Sequence, residues 1–477
     1  MDNIRLLRAV LNESLDALEA ACASKSVSFP SLDEPYVPNS DSEILCTTPD
    51  ICAIIDKTVA ASYQLICTIR HPFLNLADAS SGYHLAACLR VAEKFNLPEI
   101  LKAAGPFGLH VDSIALKAHI EATKLARILR VLATHHIFKE VRPDIFANNR
   151  ISSYFSTSKT AEEIQADPAG KYRDNSDAAA AGYIGTFTDD VFKASSYLLE
   201  DLEDEHTGRG FSSTAAAFQK ALDTQQDYFS WLEKRGNEYR FTRYGACIQG
   251  TSLWDPPDTV IQGFDWASIG RDGIVVDVGG GLGAPSMILA KTFRDLQIII
   301  QDRPAVVSQA EEFWRKSYPD GFNSGRISFM AHDFFEPQPV QGPSIFLVRT
   351  ICHDWPDELV VKILSNLRSA AKSSTRLIMA DFVLPYACPV EDIPTSGLEQ
   401  TSVSTSGIPS PLLSNLGKAG FNAYYIDMTM QVLLNGQERT LSHQVNLASK
   451  AGWEVTNINR IRNSYFGYLV AGPLPAK

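Results

Sequence analysis

The stretch GIVVDVGGGLGAPSMILAKTF, residues 273–293, decides the fold. An apolar run of strand length, IVVDV, passes straight into a glycine-rich turn and then into an apolar pattern of helical period. Glycines at such a turn let the backbone come close to a ligand held at the carboxyl end of the strand. The same rhythm continues downstream. QIIIQD (297–302) precedes AVVSQAEEFWRKS (305–317), RISFMAHDF (326–334) follows, SIFLVRTI (344–351) precedes DELVVKILSNLRSAAK (357–372), and TRLIMADFVL (375–384) comes next. Strands alternating with helices in this way predict an α/β fold, a Rossmann-like, doubly wound parallel sheet. The rhythm breaks between Tyr386 and Asn422, where Ser, Pro and Gly predominate and a long insertion or loop is expected.

Upstream of the glycine turn the texture is helical. Leu7, Leu11, Leu15 and Leu18 form an amphipathic stripe, a Ser/Pro/Asp loop spans 26–42, and a helical pattern runs from Ile51 to Phe95. A helix over 120–135 leads into two short strand-like runs, Phe138–Val141 and Asp144–Asn148, which together predict a winged helix. Residues 156–250 read as polar helices, with the acidic run Glu200–Glu205 as a solvated face. The expected organisation is a mainly helical domain over 1–165 and a second domain over 166–477, itself a helical lead-in (166–270) and the sheet core (271–477).

The net charge of −12 argues against DNA as the partner of the winged helix and against an anionic membrane surface, since both attract basic patches. Packing or dimerisation is the expected use of that helix, and the surplus of apolar helical stripes predicts a two-fold homodimer. No uninterrupted apolar run approaches the ~20 residues of a membrane span. The eight Cys are irregularly spaced, without CxxC or Cys/His ligand patterns, and predict reduced thiols and no metal site. A cytoplasmic enzyme is the expectation.

The glycine motif fits two cofactors. Gly279, Gly281 and Ala284 satisfy the dinucleotide pattern, whereas Gly279, Gly281 and Gly283 satisfy the pattern of S-adenosylmethionine enzymes. Asp277 tips the balance, because a carboxylate two residues before the turn opposes a pyrophosphate and suits an ammonium. Asp302 at the end of the second strand can accept from ribose hydroxyls, Asp333 at the end of the third can reach an adenine amine, and Phe334 offers a flat apolar face.

His353, just past the fourth strand, falls in the same strand-end plane. Asp381 ends the next strand, and Glu438 in NGQERT is expected near the start of a helix. An imidazole flanked by carboxylates is oriented and stabilised when protonated. That suits removal of a proton from a hydroxyl. A phenol, with an ordinary pKa near ~10, is a poor nucleophile until deprotonated. A sulfonium donor needs no metal.

In their order, VVDVGGGLG, QDRP, HDFFEPQP, HDWPDE and NGQERT resemble the plant-type O-methyltransferases and their fungal relatives, the caffeate- and isoflavone-type enzymes. The resemblance covers the carboxyl-terminal half and extends more weakly to the amino-terminal region, which in the family serves dimerisation. It implies His353 as catalytic base with Asp381 and Glu438 as flanking acids. It implies S-adenosylmethionine at Gly279, Asp302, Asp333, Phe334 and Arg349, beside the turn residues Asp277, Gly281 and Gly283. Met430, and beside the base Asp354, become acceptor-binding candidates, and a plain core methionine is the alternative for Met430. Plant members carry Glu where this chain has Asp381, and Lys is usual where Arg349 stands. The implied activity is methyl transfer to a hydroxyl of a small aromatic molecule, in secondary metabolism. Alternatives are a non-catalytic protein on the same scaffold and, on the dinucleotide pattern alone, a nicotinamide oxidoreductase.

Overall fold

The structure, a computed structural model, describes residues 2–173, 176–251, 258–389, 399–401, 408–461 and 464–475. Its centre is a sheet of eight strands. β4 (Ile274–Val278), β5 (Gln297–Asp302), β6 (Ile327–Ala331), β7 (Ile345–Arg349) and β8 (Arg376–Phe382) are mutually parallel. β11 (Phe466–Pro473) joins β8 antiparallel, β10 (Trp453–Arg460) joins β11 antiparallel, and β9 (Glu399–Thr401) closes the edge beside β10. The order is β6-β5-β4-β7-β8-β11-β10-β9. The expected parallel sheet is therefore its first five strands, extended by an antiparallel pair that strand–helix alternation does not announce.

Both faces of this sheet are covered, which is why its strands read as continuous apolar runs. Val276, Val278, Phe346, Val348, Leu377 and Met379 face one core with Val360, Ile363, Leu364 and Leu367 of the helix Asp357–Ala370. Their chain neighbours Val275, Leu347, Ile378 and Ala380 face the other, with Met287, Leu289 and the fully buried Trp266 and Trp314. Carboxyl ends of β4, β5, β7 and β8 consequently open on one crevice, the usual ligand side of such sheets.

The amino-terminal part begins with α1 (Asp2–Lys25), α2 (Asp41–Thr47), α3 (Pro49–Ile69), α4 (Pro72–Ser81) and α5 (Tyr83–Lys94). The winged helix is present. The helix Ala122–Thr134 precedes β2 (Lys139–Arg142) and β3 (Ile145–Ala147), and a short β1 (Leu109–His110) pairs with β3. Leu125, Leu129 and Leu132 close its core against Ile114, Phe138 and Phe146.

α1 and α3 form a hairpin whose core is Leu7, Val10 and Ala61, joined by Leu412 from the far end of the chain. Gln64 Nε2 donates to Pro411 O at 2.8 Å, and Lys418 Nζ stands 3.7 Å from the Phe421 ring and 5.7 Å from that of Tyr63. The amino-terminal stripe thus docks on the segment that follows the insertion. α3 has 21 residues, so by length and composition it is long and apolar enough to cross a membrane. That departs from the reading by uninterrupted runs, which Asp56 and Lys57 break. A buried ion network joins α5 to the lead-in. The fully buried Arg243 bonds both Asp189 and Asp190 at 3.0 Å, Arg90 reaches Asp189 and Glu93, and Lys171 lies 2.9 Å from Glu93. Of the insertion, residues 390–398 and 402–407 lie outside the described residues, and β9 stands between them.

Candidate active site

β4 delivers Asp277, 3% exposed, to the floor of the crevice, where its carboxylate accepts the Ser286 hydroxyl at 2.6 Å. Burial pushes Asp277 up to about 6 against the pull of Ser286 and Arg349. A carboxylate so short of compensation calls for a cation, and an amino-acid ammonium fits that requirement where a pyrophosphate does not. Gly279 and Gly281 adopt φ of 67° and 58°, the left-handed region that favours glycine. A Cβ on Gly279 would stand 2.4 Å from Ile351 Cδ1 and 3.5 Å from the Phe334 ring, whereas Gly281 faces open space. Asp302 accepts from Gly281 N–H at 2.8 Å and from Arg303 N–H at 2.7 Å. Turn, floor carboxylate and strand-two acid thus meet around one space, a donor set that suits S-adenosylmethionine.

The remaining cofactor candidates divide. Phe334 closes over Gly279 and packs edge-on against Trp355, 5.9 Å between ring centroids. β6 ends at Ala331, so Asp333 lies two residues beyond the strand and not at its end as expected, exposed and accepting from Phe335 N–H at 2.9 Å. Arg349 ends β7 with its guanidinium 4.3 Å from the centroid of the Phe466 ring.

His353 sits on a short helical turn, Cys352–Asp354, directly after β7. Its Nδ1 lies 2.6 Å from Glu438 Oε1, and its Nε2 is 3.5 Å from Asp354 Oδ1. Glu438 is not at a helix start as expected. It lies on the connection between the helices Phe421–Leu434 and Leu441–Lys450. That connection is bound backbone to backbone to the histidine turn: Gln437 N–H donates to His353 O at 2.9 Å, and a Cβ on Gly436 would stand 2.2 Å from the same oxygen. Arg439 ties the two together again through Cys352 O, Trp355 O and Asp357. Asp427, unmarked in the sequence reading, accepts Glu438 N–H at 2.8 Å.

Burial disfavours charge on His353, but Glu438 above all, and Asp354 after it, outweigh it and hold the imidazole up at about 10. Asp354 is pushed up to about 7 by burial against the pull of His353. Asp381, at the end of β8 and 3% exposed, does not reach His353: no ion pair within 4.0 Å joins them. The shorter acid leaves only Glu438 bonded to the ring. Met430 lies on the helix Phe421–Leu434, packed between the sheet core and an aromatic cluster containing Phe218, Tyr228 and Trp231. Tyr244 is a further residue the motifs did not mark. Burial raises its phenol well above the ordinary range, with Asp354 and Asp302 adding to the rise, and its ring packs against Tyr228 and Phe229.

Residues 255–399 match the family model of the O-methyltransferase domain, and residues 77–158 that of the O-methyltransferase dimerisation domain. An O-methyltransferase of Armillaria gallica is 37% identical over 99% of both chains. The 4-O-methyltransferase 1 of Phanerochaete chrysosporium is 35% identical over 96% of both. Among solved structures, LepI in complex with S-adenosylmethionine superposes with a TM-score of 0.67 at 19% identity, covering 90% of this chain and 96% of that one.

Proposed function

Since the chain belongs to the S-adenosylmethionine-dependent O-methyltransferases, we propose that it methylates a phenolic hydroxyl of a small secondary metabolite, with His353 as the base. The observation that carries the reading is the 2.6 Å bond from Glu438 to His353 Nδ1. It fixes the tautomer, so that Nε2 is the nitrogen left to take the acceptor's proton. When bound, the cofactor supplies a methyl group on a sulfonium whose positive charge also opposes protonation of the nearby imidazole. Asp277 holds the cofactor's ammonium, Asp302 its ribose, and the glycine turn admits it closely. Met430 and Asp354 contact the acceptor. An imidazole held near 10 matches the ordinary pKa of a phenol, so the proton moves between groups of similar affinity. The name of the Phanerochaete relative, a 4-O-methyltransferase, supports oxygen as the acceptor atom.

The enzyme works as a homodimer through the region of residues 77–158, in the cytoplasm. The test is a panel of phenols with isotopically labelled donor. His353→Ala is expected to lose about 10²–10⁴-fold in turnover while binding the homocysteine product as the parent does. Equal rates on the best phenol would remove His353 from the role.

A further inference from the structure

Behind the His353–Glu438 bond lies a recess lined by Cys352, Met379, Asp381, Gln444 and Leu447, with no room for a water molecule. Among the described residues, four buried acceptor atoms there have no nitrogen or hydroxyl donor: both oxygens of Asp381, Glu438 Oε2 and Gln444 Oε1, with the Cys352 thiol alone in reach of Asp381. The nitrogen donors that approach are already engaged. Gln444 Nε2 bonds Phe382 O and Arg439 O, Gln437 Nε2 bonds Asp357, and the Arg439 guanidinium bonds Cys352 O, Trp355 O and Asp357. Buried acceptors without donors are costly, and two carboxylates facing one dry recess, of which only Glu438 bonds a cation, are costlier still.

We propose that Asp381 holds its proton in the resting enzyme and acts as a neutral positioning residue, donating into the Glu438/Gln444 recess, so that Glu438 alone supplies the bonded negative charge behind His353. This rests on His353 being the base. Glu438 is the ionised member because it bonds the imidazole. Asp381 bonds no cation, and burial favours its neutral form. Every charged or titratable group facing it bears on that balance: Cys352, whose thiol lies beside it, His353 and Asp354 on the turn, Arg349 at the end of β7, and Glu438 and Arg439 on the loop, with Asp427 behind Glu438. Burial is the largest influence and raises Asp381, while His353 and Arg439 pull it down.

The experiment pairs a variant with a measurement on the unaltered enzyme. Asp381→Asn keeps the shape and a donor, and is expected to leave the pH inflection of His353 in place. A fall of that inflection by about one unit or more, with a matching loss of rate, would mean that a negative charge had been removed, and would overturn the proposal. Infrared spectra are taken near neutral pH with isotope-labelled aspartate on the unaltered enzyme and on Asp381→Asn, because other buried aspartates such as Asp277 and Asp354 keep their bands in the variant and only that of Asp381 is lost. A buried carboxylic-acid carbonyl band that moves with the label and is lost in the variant is expected, and no such band would overturn the proposal even if the variant failed to fold. His353→Ala retaining full activity would instead dismiss the base while leaving the infrared result standing.

Discussion

His353 is where charge and geometry meet. Its imidazole is held up at about 10, so in the free enzyme at neutral pH it carries a proton. The group that takes a proton from the acceptor is the uncharged ring, and this form grows as pH rises. On this account kcat/KM for a phenol rises about tenfold per unit through the neutral range and levels as pH approaches the imidazole's own value. Glu438→Gln removes the main stabiliser of the charged ring. The inflection is then expected to fall toward the ordinary histidine range, and a pH–rate profile of parent and variant checks it. An inflection unmoved by that change would mean that the rate reports some other group. The single pair His353–Glu438 was legible from residue types and order, because a base needs an acid partner. The distance between them and the lack of contact between Asp381 and the ring were not, since both depend on how the loop carrying Glu438 packs on the histidine turn.

At the scale of elements, the strands flanking the glycine turn were legible because burial on both faces writes itself as an apolar run. The final antiparallel pair was not, because residues 453–460 mix Glu454, Thr456, Asn457 and Asn459 with apolar neighbours and follow no strand–helix alternation. The expected helix start at Glu438 also failed. Thr440 is the N-cap of Leu441–Lys450, and the loop before it follows the backbone of the histidine turn. Gly436 is the element-scale hinge of that arrangement, with no space between its Cα and His353 O. Gly436→Ala is therefore expected to push the loop off the turn. Turnover should fall at least about tenfold, while calorimetric binding of the homocysteine product, on the opposite side of the turn, stays near that of the parent. Equal turnover in the two proteins would show that Glu438 holds its place without this contact.

For the whole molecule, the surface of the amino-terminal domain is unusually apolar. α4 buries none of its residues, and Phe73, Leu76 and Tyr83 are 68%, 69% and 54% exposed, with Phe107 and Leu116 at 79% and 78%. An exposed patch of this kind beside a dimerisation segment is the expected face of a second copy. Leu76→Glu together with Phe73→Asp is expected to weaken the dimer at least about tenfold, checked by light scattering across a dilution series. A dimer undiminished by the pair would place the interface elsewhere.

The hairpin of α1 and α3 closes on Pro411 and Leu412, and the bond from Gln64 to Pro411 joins residues 347 apart in the chain. A ribosome adding about 5–20 residues per second needs roughly 20–70 s to make the second partner after the first has emerged. Through that interval Leu7, Val10 and Ala61 lack Leu412, so the earliest-made part of the chain is among the last to be finished. Newly synthesised chains stand to need a holding chaperone there.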